Sequence, residues 1–305
     1  MTSTSYTLHG DQVALVAQLL KTLTLTETEK DVFVGESYDY VGPRVFGGQV
    51  LAQALMAGFH SLNTPKPCHS LHGYFLRGGD IHYPVHYEVT RLRDGRSLSA
   101  RQITAVQHIN GERHLIFSMM ASFSPMDELG LSYQSAMPNY PTPDTLKTEQ
   151  ELKVKYLHKV PEVLKERFMR ERHVLIKPIT EKDPITPEPM PPKQATWLSI
   201  PALTEDSIAI HQALLAFSSD FYLVSTGLMS HGLTYGSAGL QIASIDHSMH
   251  FHRPFDVREW LLYEMWSDST SFDKGLNHGQ FWQDGKLVAT TQQEGLMRLM
   301  DLGKC

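Results

Sequence analysis

The chain has 305 residues, of which 41% are hydrophobic and 20% charged, and a formal net charge of −6. This composition is typical of a globular protein with one large or two ordinary domains, and it carries no basic field for nucleic acid. No apolar run reaches about 18 residues and the N-terminus lacks a signal pattern, so no membrane segment is predicted.

The cysteine content and the C-terminus bear on location. Cys68 and Cys305 are too few for a disulfide framework, which fits a reducing compartment. The final residues Gly303-Lys304-Cys305 do not match the Ser-Lys-Leu peroxisomal address. We therefore expect a cytoplasmic protein.

Residues 1–124 predict helix, strand, buried helix and then four antiparallel strands. Residues 11–20 show helical spacing and residues 32–40 are predicted to form a strand. Residues 49–62 are small and apolar nearly all round, which predicts a helix buried inside a sheet. The four later strands are predicted at 71–75, 85–92, 97–109 and 114–123. Asp94-Gly95 and Asn110-Gly111 predict hairpin turns, because both sequences favour positive φ.

Residues 125–193 differ in character and are predicted to be a connector. Twelve of the 17 prolines lie between Pro125 and Pro201. Proline lacks a backbone donor and interrupts regular structure, so the segment is predicted to lie over a surface. A charged piece, residues 161–172, predicts one amphipathic helix within it.

From residue 194 onward the first pattern returns. Residues 206–217 predict a helix, and Ser218-Ser219-Asp220 is predicted to begin a second helix that runs to about residue 230. Strands are predicted at 241–253, 259–267, 275–282 and 286–299, with a hairpin turn at Asp284-Gly285.

The two halves can be aligned with each other. His69-Ser70-Leu71-His72 matches His247-Ser248-Met249-His250, and Phe46-Gly47-Gly48-Gln49 is aligned with Phe217-Ser218-Ser219-Asp220, each predicted to begin a buried helix. A repeat of about 100 residues indicates two copies of one domain. The predicted fold is α+β, with tandem hotdog domains at residues 1–124 and 194–305, each an antiparallel sheet wrapped around a long buried helix.

Three motifs carry a family resemblance that extends from residue 23 to residue 299. Val45-Phe46-Gly47-Gly48-Gln49, Ile245-Asp246-His247-Ser248-Met249 and Gln293-Glu294-Gly295 resemble signatures of the acyl-CoA thioesterase II family. The resemblance implies two hotdog domains, a homodimer or higher homo-oligomer, and hydrolysis of acyl-CoA to fatty acid and CoA without metal or cofactor. It also implies a catalytic set of Asp220, Ser244 and Gln293.

The implied catalytic residues suit thioester hydrolysis, which needs a positioned water and a group that takes its proton. Asp220 offers an acceptor, Ser244 a hydroxyl and Gln293 an amide. Each also has a structural interpretation, as a capping acid, a satisfied strand serine and a buried glutamine. Asp220 is predicted in the first turn of its helix, where the dipole favours the carboxylate. Many family members have Thr where this chain has Ser244, which keeps the hydroxyl but loses the methyl that fixes the rotamer.

Gly47 and Gly48 are predicted to contact substrate. Backbone N–H groups at the start of a buried helix suit an oxyanion, and glycines leave room for an acyl group. The alternative is that both glycines only make a tight turn. Arg77, Arg96, Arg101 and Lys274 are undistinguished as partners for the CoA phosphates.

Other chemistries remain as alternatives or are excluded. The His69/His72 and His247/His250 pairs do not predict a metal site, because strand residues three apart point to opposite faces. No Gly-x-Ser-x-Gly or Gly-x-Gly-x-x-Gly motif is present. A hotdog enoyl-CoA hydratase that uses Asp246 and His247 is one alternative, and a non-catalytic acyl-CoA binder is the other.

Overall fold

The computed structural model describes residues 10–126 and 130–300, so Cys305 lies outside the described residues. The helices are α1 Gly10–Leu23, α2 Gly47–His60, α3 Glu149–Tyr156, α4 Glu162–Met169, α5 Ile208–Ser219 and α6 Leu223–Thr226. The first-half strands are β1 Thr26–Glu29, β2 Val32–Gly35, β3 Cys68–Phe75, β4 Val85–Asp94, β5 Ser99–Ile109 and β6 Glu112–Phe123. The later strands are β7 Leu175–Pro178, β8 Lys193–Ser199, β9 Leu240–Ser244, β10 Asp246–Phe251, β11 Leu261–Ser271, β12 Lys274–Gln283 and β13 Lys286–Leu299.

One continuous antiparallel sheet joins the two halves. Its strand order is β1-β2-β4-β5-β6-β3-β10-β13-β12-β11-β8-β7, with β9 beside β13. Counted from the centre outward, the order β10-β13-β12-β11-β8-β7 of the second half repeats the order β3-β6-β5-β4-β2-β1 of the first half. Strands β3 and β10 pair at the centre, with Leu71 opposite Met249. The His-Ser-x-His repeat found in the sequence therefore occupies the two strands that meet at the local twofold axis.

Helices α2 and α5 lie side by side inside this sheet. Nearly all of α2 is buried, and so is α5 from His211 to Ser219. Gly48 at the start of α2 contacts Phe217 near the end of α5, whereas Gln212 near the start of α5 bonds to Cys68, which follows α2. The two helices are therefore antiparallel. The prediction of two tandem hotdog units, each with one long buried helix, is confirmed.

Two of the three predicted hairpin turns have the expected backbone. Asn110 and Gly111 have φ of 51° and 84°, and Asp284 and Gly285 have φ of 50° and 76°. These values suit the twist of the flanking strands. At Asp94-Gly95 the predicted hairpin is present, since Asp94 pairs with Ser99, but residues 95–98 form a longer loop and neither residue has the expected positive φ.

The prediction of a helix that begins at Ser218 is also wrong. Helix α5 continues through Ser219 and ends just before Asp220. The Ser218 hydroxyl donates to the Leu214 carbonyl and the Ser219 hydroxyl donates to the Ala216 carbonyl, so both serines bond back into α5 and cap no new helix. The alignment of Phe46–Gln49 with Phe217–Asp220 therefore fails, since Asp220 lies at the opposite end of its helix.

The segment 125–193 contains more regular structure than expected. Helix α4 lies within the predicted 161–172 helix, and α3 precedes it with a capping box formed by Thr148 and Glu151. Strand β7 pairs with β8 at the edge of the sheet. An edge position accepts Pro178 without loss of a ladder bond. The division into a connector and a domain that starts at residue 194 stays a prediction.

One described helical stretch, Ile208–His231, is long and apolar enough to cross a membrane. Its apolar window is 78% buried inside the fold. The stretch begins with α5, which packs against α2, so its apolar character is that of a core helix.

Candidate active site

Asp220 follows the last turn of α5 and is almost enclosed, with 8% of its surface exposed. The two carboxylate oxygens have separate donors. The Gln293 amide nitrogen donates to Oδ1 over 2.8 Å, and the Gly48 backbone N–H donates to Oδ2 over 2.8 Å. The carboxylate thus bridges the core helix of the first half and a strand of the second half.

Two helix ends act on this carboxylate with opposite signs. Asp220 lies at the C-terminus of its own helix, where the dipole disfavours a negative charge. It also lies at the N-terminus of α2, where the Gly48 N–H has no partner within the helix. A helix N-terminus does hold the carboxylate, but the prediction assigned that role to the wrong helix.

The pKa of Asp220 reflects this enclosure. Burial raises the pKa of the carboxyl above its usual value, and the hydrogen bonds from Gln293, Gly48 and Ser244 work against that rise. The net direction is upward. A carboxylate with a raised pKa is a stronger base than an exposed aspartate, which suits proton abstraction.

Gly47 and Gly48 are both at positions of close approach. A Cβ on Gly47 would lie 2.8 Å from Asp220 Oδ2, and one on Gly48 would lie 2.4 Å from the Phe217 carbonyl oxygen. Any side chain at either position would push α2 away from the end of α5. The Gly48 N–H is bonded to Asp220, so this donor serves the carboxylate.

Gln293 connects the three predicted catalytic side chains. Its amide nitrogen donates to Asp220 and, over 2.8 Å, to the Ser244 hydroxyl. The nitrogen must face the carboxylate, because the amide oxygen there would repel it. The amide oxygen of Gln293 is buried without a partner among the described protein atoms. The three residues named from the sequence therefore meet in one hydrogen-bonded cluster.

The strands around the cluster fix its geometry. The predicted strand 241–253 is interrupted at Ile245, so Ser244 ends β9 and faces Gly295 of β13. The Ile245 carbonyl accepts from Phe75 N–H of the first half over 2.8 Å. Asn277 on β12 is fully buried, and its side-chain amide donates to the backbone carbonyl of Gln293 over 3.2 Å. Asn277 was missed, because Lys274, His278, Gln280 and Gln283 on the same strand are also polar and Asn277 does not stand out among them.

His247 and Asp246 do not form an acid–base pair. His247 is fully buried, and its Nε2 lies 2.9 Å from both the Ser219 and Thr291 hydroxyls. Both hydroxyls donate their protons to backbone carbonyls, so Nε2 carries the ring proton. Burial lowers the pKa of His247 to about 3, which keeps the ring neutral. Asp246 faces the other side of the sheet and bonds to His72.

Other candidate binding groups lie elsewhere. Arg101 is fully buried and paired with Asp94, which removes it as a phosphate ligand. No group of three or more potential metal ligands occurs among residues 10–126 and 130–300. A cavity of about 330 Å³ lies at the start of α5, beside Ile208 and His211, at the end opposite Asp220.

Comparisons with known proteins identify the family. The model of the acyl-CoA thioesterase N-terminal domain matches residues 35–124, and the acyl-CoA thioesterase model matches residues 163–296. The chain is 38% identical to acyl-CoA thioesterase 2 of Haemophilus influenzae over 94% of this chain and 99% of that protein. It is 35% identical to human acyl-coenzyme A thioesterase 8 over 91% and 88% of the two chains.

Solved structures agree. An acyl-CoA thioesterase II from Mycobacterium marinum has a TM-score of 0.72 and 33% identity, covering 93% of this chain and 98% of that one. A hotdog-fold protein from Alicyclobacillus acidocaldarius, 19% identical, has a TM-score of 0.71 over 92% and 98% of the two chains and supports the fold alone. On this similarity along nearly its whole length, the chain belongs to the acyl-CoA thioesterase family.

Proposed function

We propose that the protein hydrolyses acyl-CoA to a free fatty acid and CoA, with Asp220, Ser244 and Gln293 arranged around the attacking water. The reaction class follows from membership of the family. The observation that carries the residue assignment is the single cluster in which Gln293 bonds to both Asp220 and Ser244. Such a reaction belongs to fatty acid metabolism.

The chemistry requires one base and one attacking oxygen. Asp220 takes a proton from water while the water oxygen bonds to the thioester carbonyl carbon. The tetrahedral intermediate then collapses with cleavage of the carbon–sulfur bond. The proton held by Asp220 passes to the departing CoA sulfur, which restores the carboxylate for the next turnover.

Gln293 and Ser244 orient this base and its water. Gln293 fixes one carboxylate oxygen through its amide nitrogen, and its buried amide oxygen is a free acceptor for a water hydrogen. Ser244 accepts a hydrogen bond from the same amide nitrogen and adds a hydroxyl to the cluster. We assign Gly47 and Gly48 to the approach of the acyl group, because neither places a side chain between substrate and Asp220.

Three assays separate the hydrolase from the alternatives. A hydrolase releases free thiol from saturated acyl-CoA, and a profile over increasing chain length defines its preference. A hydratase changes enoyl absorbance without thiol release. A binder takes up stoichiometric acyl-CoA and releases none. The buried, neutral state of His247 disfavours the hydratase. Absence of thiol release over the whole series would overturn the proposal.

The remaining assignments complete the proposal. We assign the protein no metal and no cofactor, so overnight chelation should leave the rate unchanged, and rescue by zinc would contradict this. We further propose a cytoplasmic homodimer or higher homo-oligomer. Size-exclusion chromatography with light scattering measures the oligomeric state, and a monomer would contradict the assignment. Cell fractionation measures the location, and a membrane-bound pool would contradict it.

A further inference from the structure

A half-buried ion pair from segment 125–193 lies against the residues that follow Asp220. Glu149 on α3 receives the Arg172 Nε–H over 2.7 and 3.0 Å, and Lys153 lies 3.2 Å from it. The Glu149 side chain is only 15% exposed. Burial works to raise the pKa of Glu149, but Arg172 and Lys153 outweigh it and bring the pKa to about 2. Glu149 is therefore a fixed negative charge.

Tyr222, two residues after Asp220, is the point of contact. Its hydroxyl donates to Glu149 Oε1. Its backbone is left-handed, with φ of 65°. Among the described residues, five other non-glycine residues have positive φ, and all five lie in turns between paired strands: Asp31, Asn110, Phe272, Asp273 and Asp284. Tyr222 alone has this conformation at the head of a helix, where no hairpin requires it.

Arg172 contacts Phe221, the residue between Asp220 and Tyr222. Its guanidinium carbon lies 4.8 Å from the centre of the Phe221 ring. Phe221 in turn stacks on Phe46, with ring centres 5.1 Å apart and planes at 19°. Phe46 directly precedes Gly47 and Gly48. The Phe221–Phe46 stacking therefore joins the same two chain segments as the Gly48–Asp220 hydrogen bond, and Arg172 packs on the Phe221 side of it.

The contacts of Tyr222 and Phe221 leave the 220–222 turn little freedom. The Tyr222 carbonyl also accepts from the Gln194 amide and the Ser225 hydroxyl. A strained residue persists only where its surroundings over-determine it, and such strain concentrates at active sites. The side-chain contact from Glu149 and the stacking from Arg172 supply this constraint from outside the two hotdog units.

We propose that Glu149 and Arg172 are positioning residues that hold the Asp220 carboxylate at its angle to water and thioester through Tyr222 and Phe221. The inference rests on the proposed role of Asp220 as base. It gives segment 125–193 a part in the reaction, because the segment contributes rigidity to the catalytic turn without touching substrate.

The test is a cycle of Glu149→Gln, Tyr222→Phe and the double variant in the full-length protein. A displaced base lowers kcat while the CoA contacts are unchanged, and small misplacements cost up to about 10²-fold. We expect Glu149→Gln to lower kcat by about tenfold to a hundredfold with KM within about twofold. The double variant should be no slower than the slower single variant, because the two residues act as a unit.

The same segment offers a matched control. Glu181 accepts from the Tyr156 hydroxyl and the Lys155 ammonium group on an exposed surface, so it repeats the tyrosine–glutamate–cation chemistry at another place. Glu181→Gln and Tyr156→Phe should leave kcat and KM unchanged. If Glu149→Gln does not fold, Tyr222→Phe, which removes one oxygen atom, decides the question.

The outcomes separate the two proposals. Absence of thiol release by the wild-type protein would overturn the proposed function itself. An active wild type together with Tyr222→Phe and Glu149→Gln variants whose kcat stays within about twofold would overturn the positioning role alone. A loss of thermal stability with unchanged kcat would also overturn it, since a merely structural pair behaves in that way.

Discussion

The ends of the two core helices occupy related places in the two halves and are built in opposite ways. Helix α2 is followed by Ser61, whose hydroxyl and carbonyl both accept from the buried Arg101 guanidinium. Helix α5 is followed by Asp220, a buried carboxylate. A cation at a helix C-terminus is favoured by the dipole and an anion is disfavoured. We call the end of α2 with Ser61 and Arg101 the first corner, and the end of α5 with Asp220 the second corner. The first corner obeys this rule and the second breaks it.

The strands beside the two corners show the same contrast between an apolar and a polar residue. Leu71 pairs with Ala121, and Met249 pairs with Thr291. Two residues further along β6 and β13 are Phe123 and Gln293, both fully buried. The first half fills this position with an aromatic ring and the second half with an amide bonded to Asp220. Under the proposed mechanism, the first corner stabilises the fold, and the second corner keeps an unfavourable charge that serves the reaction.

Loss of the Asp220 charge should have the largest effect on activity. Asp220→Asn should lower turnover by about two to four orders of magnitude, the effect of losing a positioned acid–base group. The urea midpoint should stay equal or rise, because burial of this carboxylate is unfavourable. Asp94→Asn, which removes the acid of the other corner, should leave turnover unchanged. Near wild-type turnover in Asp220→Asn would place the base elsewhere, with His252 next to test.

Loss of the Gln293 amide should come second. Gln293→Ala should lower kcat about 10²-fold, as expected for one polar stabiliser in an enclosed site. Combined with Asp220→Asn it should add little, since the two act as a unit. The counterpart Phe123→Leu should change stability and leave kcat intact. Steady-state kinetics and urea unfolding of the three variants distinguish the corners, and additive losses would show that Gln293 acts independently of Asp220.

Ser244 should matter less. Ser244→Ala should cost about tenfold in kcat, because water can partly replace the hydroxyl. Ser244→Thr keeps the hydroxyl and restricts its rotamer, so it should retain activity. Thiol-release kinetics compare the pair. An inactive Thr variant beside an active Ala variant would mean that size at this position matters more than the hydroxyl.

The first corner should respond in stability alone. Arg101→Met removes a buried guanidinium that bonds to Ser61 and Asp94. Loss of these charged hydrogen bonds should destabilise the fold by about 1–3 kcal/mol, measured by urea unfolding. The kcat of the folded fraction should not change. A hundredfold fall in kcat with unchanged stability would show that this corner also carries chemistry.

The sequence was sufficient for most of the fold, and it named three side chains that the structure brings together. Strand β13 has the predicted bounds, residues 286–299, because a long alternating run after an Asp-Gly turn leaves one register. Asp220, Ser244 and Gln293 were named from the family resemblance and are joined by two hydrogen bonds. Their being catalytic stays a prediction.

The errors lie where tertiary contacts override local signals. Ser218-Ser219-Asp220 resembles a helix start, but both hydroxyls bond back to α5 carbonyls, and the carboxylate finds its helix N-terminus in the other half. No local pattern contains a partner 172 residues away. The Thr148–Glu151 capping box of α3 was readable and was missed. The hydrogen bond between Glu149 and Tyr222 could not be predicted from the sequence, since it depends on the packing of segment 125–193 against the second half.

The pH dependence of kcat/KM in wild type and Asp220→Asn tests most directly whether the Asp220 carboxylate is the base. Only the ionised form accepts a proton, so the rate should fall as pH falls through the pKa of Asp220, which burial raises above that of an ordinary aspartate. Thioester absorbance follows the reaction at every pH. The account predicts this acidic limb in wild type and a flat profile for the residual activity of Asp220→Asn. The same acidic limb in both proteins would contradict it.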